Sequence, residues 1–155
     1  MKLADLLNEN LIHLDLKATT KTEAIREMAE VMSRSKKIFD REEFLSALLE
    51  REGLATTGIG RGIAFPHART ASVDGILVGL ARSDQGVEFD SLDGKPVRLM
   101  FMMGTSPECV EDYLKVLARI SRLLKRDQAK DALLVAPTAA DVMKIVRDVE
   151  AELGD

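Results

Sequence analysis

No tryptophan occurs among the 155 residues, cysteine occurs once, and histidine only twice. The lone Cys109 cannot close an internal disulfide, and no His or Cys stands at metal-ligand spacing from it. An oxidised scaffold and a bound metal are both excluded on that reading, and Cys109 is expected to be an ordinary thiol in a reducing compartment. Charge of one sign is missing too. The 22 basic and 26 acidic side chains leave a net charge of −4 and are interspersed along the chain. There is no basic stripe to neutralise nucleic-acid phosphates, so no nucleic-acid partner is expected. No apolar run approaches the roughly 20 residues of a membrane-spanning helix. The opening MKLADLLNEN lacks a charged leader followed by an apolar segment, so a cytoplasmic protein that is not membrane-embedded is expected. Internal repeats, low-complexity tracts and linkers are absent as well.

What is present suits one domain over residues 1–155, because 46% of the residues are hydrophobic and a chain of this length buries a real core. In LIHLDL at 11–16, Ile12, Leu14 and Leu16 alternate with His13 and Asp15, the period of a half-buried strand. His13 then falls on the polar side as a surface or hydrogen-bonded histidine. Thr20 and Glu23 form a capping-box pattern before Ala24, Ile25, Met28, Val31 and Met32 at helical spacing. A second helix starts near Asp40, buries Phe44, Leu45, Leu48 and Leu49, carries Arg51 and Glu52 in its last turn, and should stop at Gly53. The segment 53–62, GLATTGIGRG, holds four glycines and two threonines and reads as an irregular loop. ILVGLAR at 76–82 and VRLMFMM at 97–103 are strands, the second unbroken enough to be central, with a turn at 93–96 before it. Ser106-Pro107 opens a long helix with Val110, Tyr113, Leu117, Ile120 and Leu124 on one face, and shorter helices start near Asp127 and Thr138. The pattern predicts an α/β domain with a central mixed sheet sandwiched by helices.

His67 is the candidate nucleophile. Pro66 before it has a fixed φ and biases Phe65 toward extended backbone, so the ring is held in a set direction at the end of a short strand. A phosphoryl group in transfer is held by backbone N–H groups, hydroxyls and an arginine fork. Gly58 and Gly60, Thr56 and Thr57, and Arg51 supply these upstream. Arg51 also suits a helix C-terminus, and the two roles are compatible. The glycines lack the lysine of a nucleotide-binding P-loop, so no nucleotide cofactor is expected.

Arg51-Glu52 followed by TTGIGRGIAFPHAR resembles the active-site signature of the phosphotransferase-system enzyme IIA domains of the fructose and mannitol class. The similarity continues through LDGKPVRLMFMM and YLKVLARISRLL, and is nearest to the stand-alone nitrogen-regulatory member. The resemblance implies a phosphocarrier: His67 receives phosphate from a small histidine-containing phosphocarrier protein, while Arg51 and Thr57, and Thr56 beside them, match residues around the phosphoryl group. Family members carry the phosphate on Nε2; the sequence itself leaves both ring nitrogens open. The resemblance requires neither metal nor cofactor. It also implies a second histidine in the long helix, where this chain has Tyr113, which donates a hydrogen bond but carries no positive charge near neutral pH. Three functions follow as expectations. The first is a regulatory phosphocarrier that binds an unidentified target according to its phosphorylation. The second is a soluble fructose or mannitol transport component feeding a IIB domain. The third is a binding module that no longer transfers phosphate.

Overall fold

The computed structural model describes residues 2–154. Its centre is a strand pair. β5 (Ile76–Val87) and β6 (Val97–Thr105) run antiparallel, from Ile76 opposite Thr105 to Val87 opposite Val97. Over residues 76–81 and 99–103 both are apolar on both faces because each face meets helices. Val78, Leu80, Leu99, Phe101 and Met103 belong to one core cluster, and Leu77, Ala81, Met100 and Met102 to the other. The first cluster is closed by α1 (Leu3–Leu6), α4 (Val110–Lys125), α5 (Asp127–Val135) and α6 (Ala139–Leu153). The second is closed by α2 (Lys21–Met32) and α3 (Arg41–Leu54). This is the mixed sheet between helices that the sequence pattern predicts.

Outside β6, the chain runs parallel to it as β3 (Ile63–Ala64) and β4 (His67–Arg69). The pairing keeps one register across both, from Ile63 opposite Leu99 to Arg69 opposite Thr105, so they are one strand interrupted at Phe65 and Pro66. Pro66 has no N–H to donate, but its carbonyl still accepts from Met103 N at 3.0 Å. The segment expected as a loop contains a third short strand. β2 (Gly58–Gly60) pairs antiparallel with β3, and the two-residue turn at Arg61 and Gly62 takes φ of 59° and 78°. Positive φ at both central positions is the turn whose twist matches a hairpin.

Other boundaries differ for local reasons. The 11–16 strand is only Ile12–His13 (β1), parallel to β5. Ile12 and Leu14 pack on the first cluster while Leu11 and Leu16 lie in the second, so its two faces meet two cores rather than core and solvent. His13 is satisfied by Glu27 at 2.6 Å. Thr20 precedes α2, but its side chain makes no capping bond. α3 runs through Gly53 to Leu54 and ends on extended Ala55, so Gly53 is not a left-handed terminator. Asp40 caps α3 by accepting from Glu43 N. Pro107–Cys109 forms a 3₁₀ turn and α4 begins only at Val110, with Val116 and Leu123 more deeply buried than Val110, Tyr113 or Leu117. A Cβ on Gly104 would stand 2.9 Å from the Phe44 ring, so its bare Cα lets α3 lie close against β6.

Candidate functional site

The parallel β4 and β6 end together at Arg69 and Thr105, and a cavity of about 470 Å³ opens beyond their carboxyl ends. Open α/β sheets place ligands in such a crevice. Ala47, Glu50, Arg51 and Leu54 of α3 line one side, Val110 and Tyr113 of α4 the other, and His67 and Arg69 the floor.

His67 is half-buried, with one nitrogen already committed: Nδ1 lies 2.9 Å from the Phe65 carbonyl oxygen. A carbonyl only accepts, so Nδ1 carries the proton and the lone pair stands on Nε2. Burial is the chief cause pushing the imidazole below its ordinary pKa, and the Arg51 cation adds to it. The Phe65 hydrogen bond and the Glu52 carboxylate act in the opposite direction without reversing the shift. At neutral pH the ring is therefore a neutral nucleophile. Around it stand Arg51, whose Nη1 donates to the Ala55 carbonyl at 2.9 Å, and Arg69, two residues along the strand and so on the same face as His67. The Tyr113 ring is tilted against the imidazole with centroids 5.4 Å apart. Burial pushes its phenol above the ordinary range, only partly offset by Arg51 and Arg69, which keeps the hydroxyl protonated as a donor. A bare nitrogen beside two guanidinium groups and a phenol suits attack on an electrophile that carries several negative oxygens.

The structure brings His67, Arg51 and Tyr113 together and leaves the glycine and threonine cluster aside. Thr56 Oγ1 donates to the Phe89 carbonyl and accepts from Gly58 N, so neither group is open to an anion. Thr57 directs its hydroxyl to the Glu52 carboxylate at 2.6 Å. Gly58 and Gly60 belong to the β2–β3 hairpin and do not line the cavity. Arg51 sits at its helix end, where it donates to the Ala55 carbonyl, and also lines the cavity. Arg69 escaped sequence reasoning, although the two-residue period from His67 places it on the same face. Sequence reasoning names Glu52 only as the neighbour of Arg51 and gives it no role, because a glutamate in a last helical turn reads as solvated and this one is buried. Among the described residues, no group of three or more His, Cys, Asp and Glu side chains could hold a metal ion, and no helix is long and apolar enough to cross a membrane.

Comparison with known proteins adds independent findings. Residues 5–149 match the family described as phosphoenolpyruvate-dependent sugar phosphotransferase system, EIIA 2. The chain is 39% identical over 139 residues to the fructose-specific EIIA component of Haloferax volcanii, covering 90% of each chain. It is 31% identical over 150 residues to the nitrogen regulatory protein of Pseudomonas aeruginosa, covering 97% of each. The crystal structure of nitrogen regulatory protein IIA-Ntr from Neisseria meningitidis superposes with a TM-score of 0.86 at 27% identity, over 93% of this chain and 98% of that one. Against the longer fructose-specific EIIABC component of Bacillus subtilis, 38% identical over 146 residues, the chain spans 23% of the relative's length.

Proposed function

This chain belongs to the EIIA 2 family of the phosphoenolpyruvate-dependent sugar phosphotransferase system, and on that basis we propose that His67 accepts the phosphoryl group, through Nε2. The observation that carries this reading is the Nδ1–H bond to the Phe65 carbonyl, which leaves Nε2 as the lone-pair nitrogen at the cavity. The donor is a phosphohistidine of a histidine-containing phosphocarrier protein. In the transfer the Nε2 lone pair forms the new N–P bond as the donor's N–P bond breaks, and that electron pair returns to the donor nitrogen. His67 keeps its Nδ1 proton and becomes a phosphoimidazolium. The Phe65 carbonyl stabilises that positive charge, and Arg51, Arg69 and the Tyr113 hydroxyl receive the phosphoryl oxygens. Such a transfer needs positioning and charge neutralisation more than acid–base work, and the protonated ring keeps the group ready to leave again.

We assign the protein a regulatory role in the cytoplasm, binding a target differently before and after a phosphoryl group adds nearly two negative charges. The Pseudomonas and Neisseria nitrogen regulatory proteins support it. The Haloferax relative, of similar length and named fructose-specific, supports transport through a IIB partner instead. One-domain length therefore does not separate the two. Incubation with a phosphorylated carrier and intact-mass measurement tests acceptance, with a single adduct expected on the native protein and none on His67→Gln. Subsequent passage of the label to a sugar-system IIB domain would favour transport, and retention of it would favour regulation. A native protein that binds the carrier without an adduct would be a recognition module only.

A further inference from the structure

Beneath the cavity a line of hydrogen bonds runs from helix α2 to the imidazole. Lys21 Nζ lies 3.1 Å from Glu52 Oε2, and it also sits 5.1 Å above the centroid of the Phe89 ring. The Glu52 carboxylate, 4% exposed, accepts from Thr57 N at 2.8 Å and from Thr57 Oγ1 at 2.6 Å. The Thr57 carbonyl accepts from Phe65 N at 3.1 Å, and the Phe65 carbonyl accepts from His67 Nδ1 at 2.9 Å. A buried carboxylate is costly unless its oxygens are satisfied, and here both are, by groups whose other ends orient the ring.

We propose that Glu52 is a positioning residue for His67: through Thr57 and the Phe65 carbonyl it fixes the ring with Nδ1 protonated and Nε2 bare, and its negative charge counterbalances the imidazolium charge that appears when Nε2 takes the phosphoryl group. This rests on His67 being the acceptor. The hydrogen bonds explain why a residue outside the cavity lining belongs to the site. Thr57 then acts through the backbone and through Glu52 rather than by touching phosphate. Lys21 tunes the carboxylate from the far side. Its ammonium neutralises part of the Glu52 charge, so losing Lys21 strengthens the field at the ring, while losing Glu52 weakens it. The remaining charged or titratable groups lining the cavity with His67 are Glu50 and Arg51 on α3, Arg69 on β4 and the Tyr113 phenol on α4.

The test reads the ring itself. Nitrogen NMR of the unphosphorylated protein follows the tautomer and titration of His67 in the native chain, in Glu52→Gln and in Lys21→Gln, beside the rate of phosphoryl acceptance from a phosphorylated carrier. Glutamine keeps the size of the side chain and an acceptor for Thr57 N. In Glu52→Gln the His67 titration should move to lower pH, the Nε2–H tautomer should appear, and acceptance should slow about tenfold without weaker carrier binding. In Lys21→Gln the titration should move to higher pH. Opposite shifts mark a charge acting on the ring, which general loosening of the fold does not produce. A folded Glu52→Gln protein with native tautomer and titration would overturn the proposal; should that variant not fold, an unmoved titration in Lys21→Gln overturns it. A native protein that takes no phosphoryl group yet shows both shifts would leave Glu52 as the ring's positioning residue and sink the phosphocarrier reading instead.

Discussion

Replacing Arg51 tests whether the cation at the end of α3 serves transfer or only its helix. The guanidinium carries five N–H donors in a planar fork, and its Nη1 donates to the Ala55 carbonyl. Arg51→Lys keeps a positive charge but loses the geometry that can hold Ala55 and a phosphoryl oxygen together. A hydrogen bond to a charged group contributes about 1.5–3 kcal/mol, which is about ten- to a hundredfold in rate if the bond forms mainly in the transition state. The helix-end contribution is smaller, about 0.3–1 kcal/mol, so the fold should survive. Arg51→Gln goes further by removing the charge. Because that cation helps hold the His67 pKa down, its loss should raise the pKa, and the acid limb of the acceptance rate should move to higher pH. The assay is rapid mixing with phosphorylated carrier, acid-free quenching and intact mass across pH, with melting curves alongside. Native rates and a native acid limb in a folded Arg51→Gln protein would return Arg51 to its helix end and refute the electrostatic account.

Three further outcomes are expected. Tyr113→His places an imidazole near Arg51 and Arg69, where an arriving phosphoryl group favours its cationic form; the phosphorylated form should then live longer in the variant below neutral pH, and equal lifetimes would remove Tyr113 from the site. Because folding depresses the His67 pKa, the stability it contributes is complete above the unfolded value of about 6.5 and is lost as pH falls through the folded one. Urea unfolding of the native protein should therefore lose ground against His67→Gln on acidification, and parallel curves would contradict the shift. Gly104→Ala should cost about 1–3 kcal/mol through the Phe44 ring and slow acceptance as α3 moves Arg51 away, whereas a normal melting temperature would show that the packing yields freely.

The parts of the fold that could be read in the sequence are those with strong local pattern. The unbroken apolar run of β6 and the amphipathic spacing of α2 and α4 declare themselves because burial on two faces or on one leaves a period. α1 left no such mark. It has four residues, and its Leu3 and Ala4 N–H groups are held by the Glu150 carboxylate from the far end of the chain. β2 was equally hidden, since a Gly-Ile-Gly strand exists only through its pairing with β3 and the positive-φ turn between them. At the site, Pro66 made His67 legible, and Arg51 was found by chemistry. The threonine hydroxyls and the Thr57 and Gly58 N–H groups look available in the sequence, while the Phe89 carbonyl, the Glu52 carboxylate and Thr56 Oγ1 engage them in space. Glu52 stands beside Arg51 in the signature, but its burial and its bonds to Thr57 and Lys21 show only in the fold.

The most direct measurement is nitrogen and phosphorus NMR of the uniformly nitrogen-labelled protein after phosphorylation by a phosphoenolpyruvate-driven donor chain. One phosphohistidine is expected, at His67, with the N–P bond on Nε2 and the proton retained on Nδ1 against the Phe65 carbonyl, and an unmodified His13. A phosphoryl group on Nδ1 of His67, on His13, or on no histidine of a folded protein would contradict it.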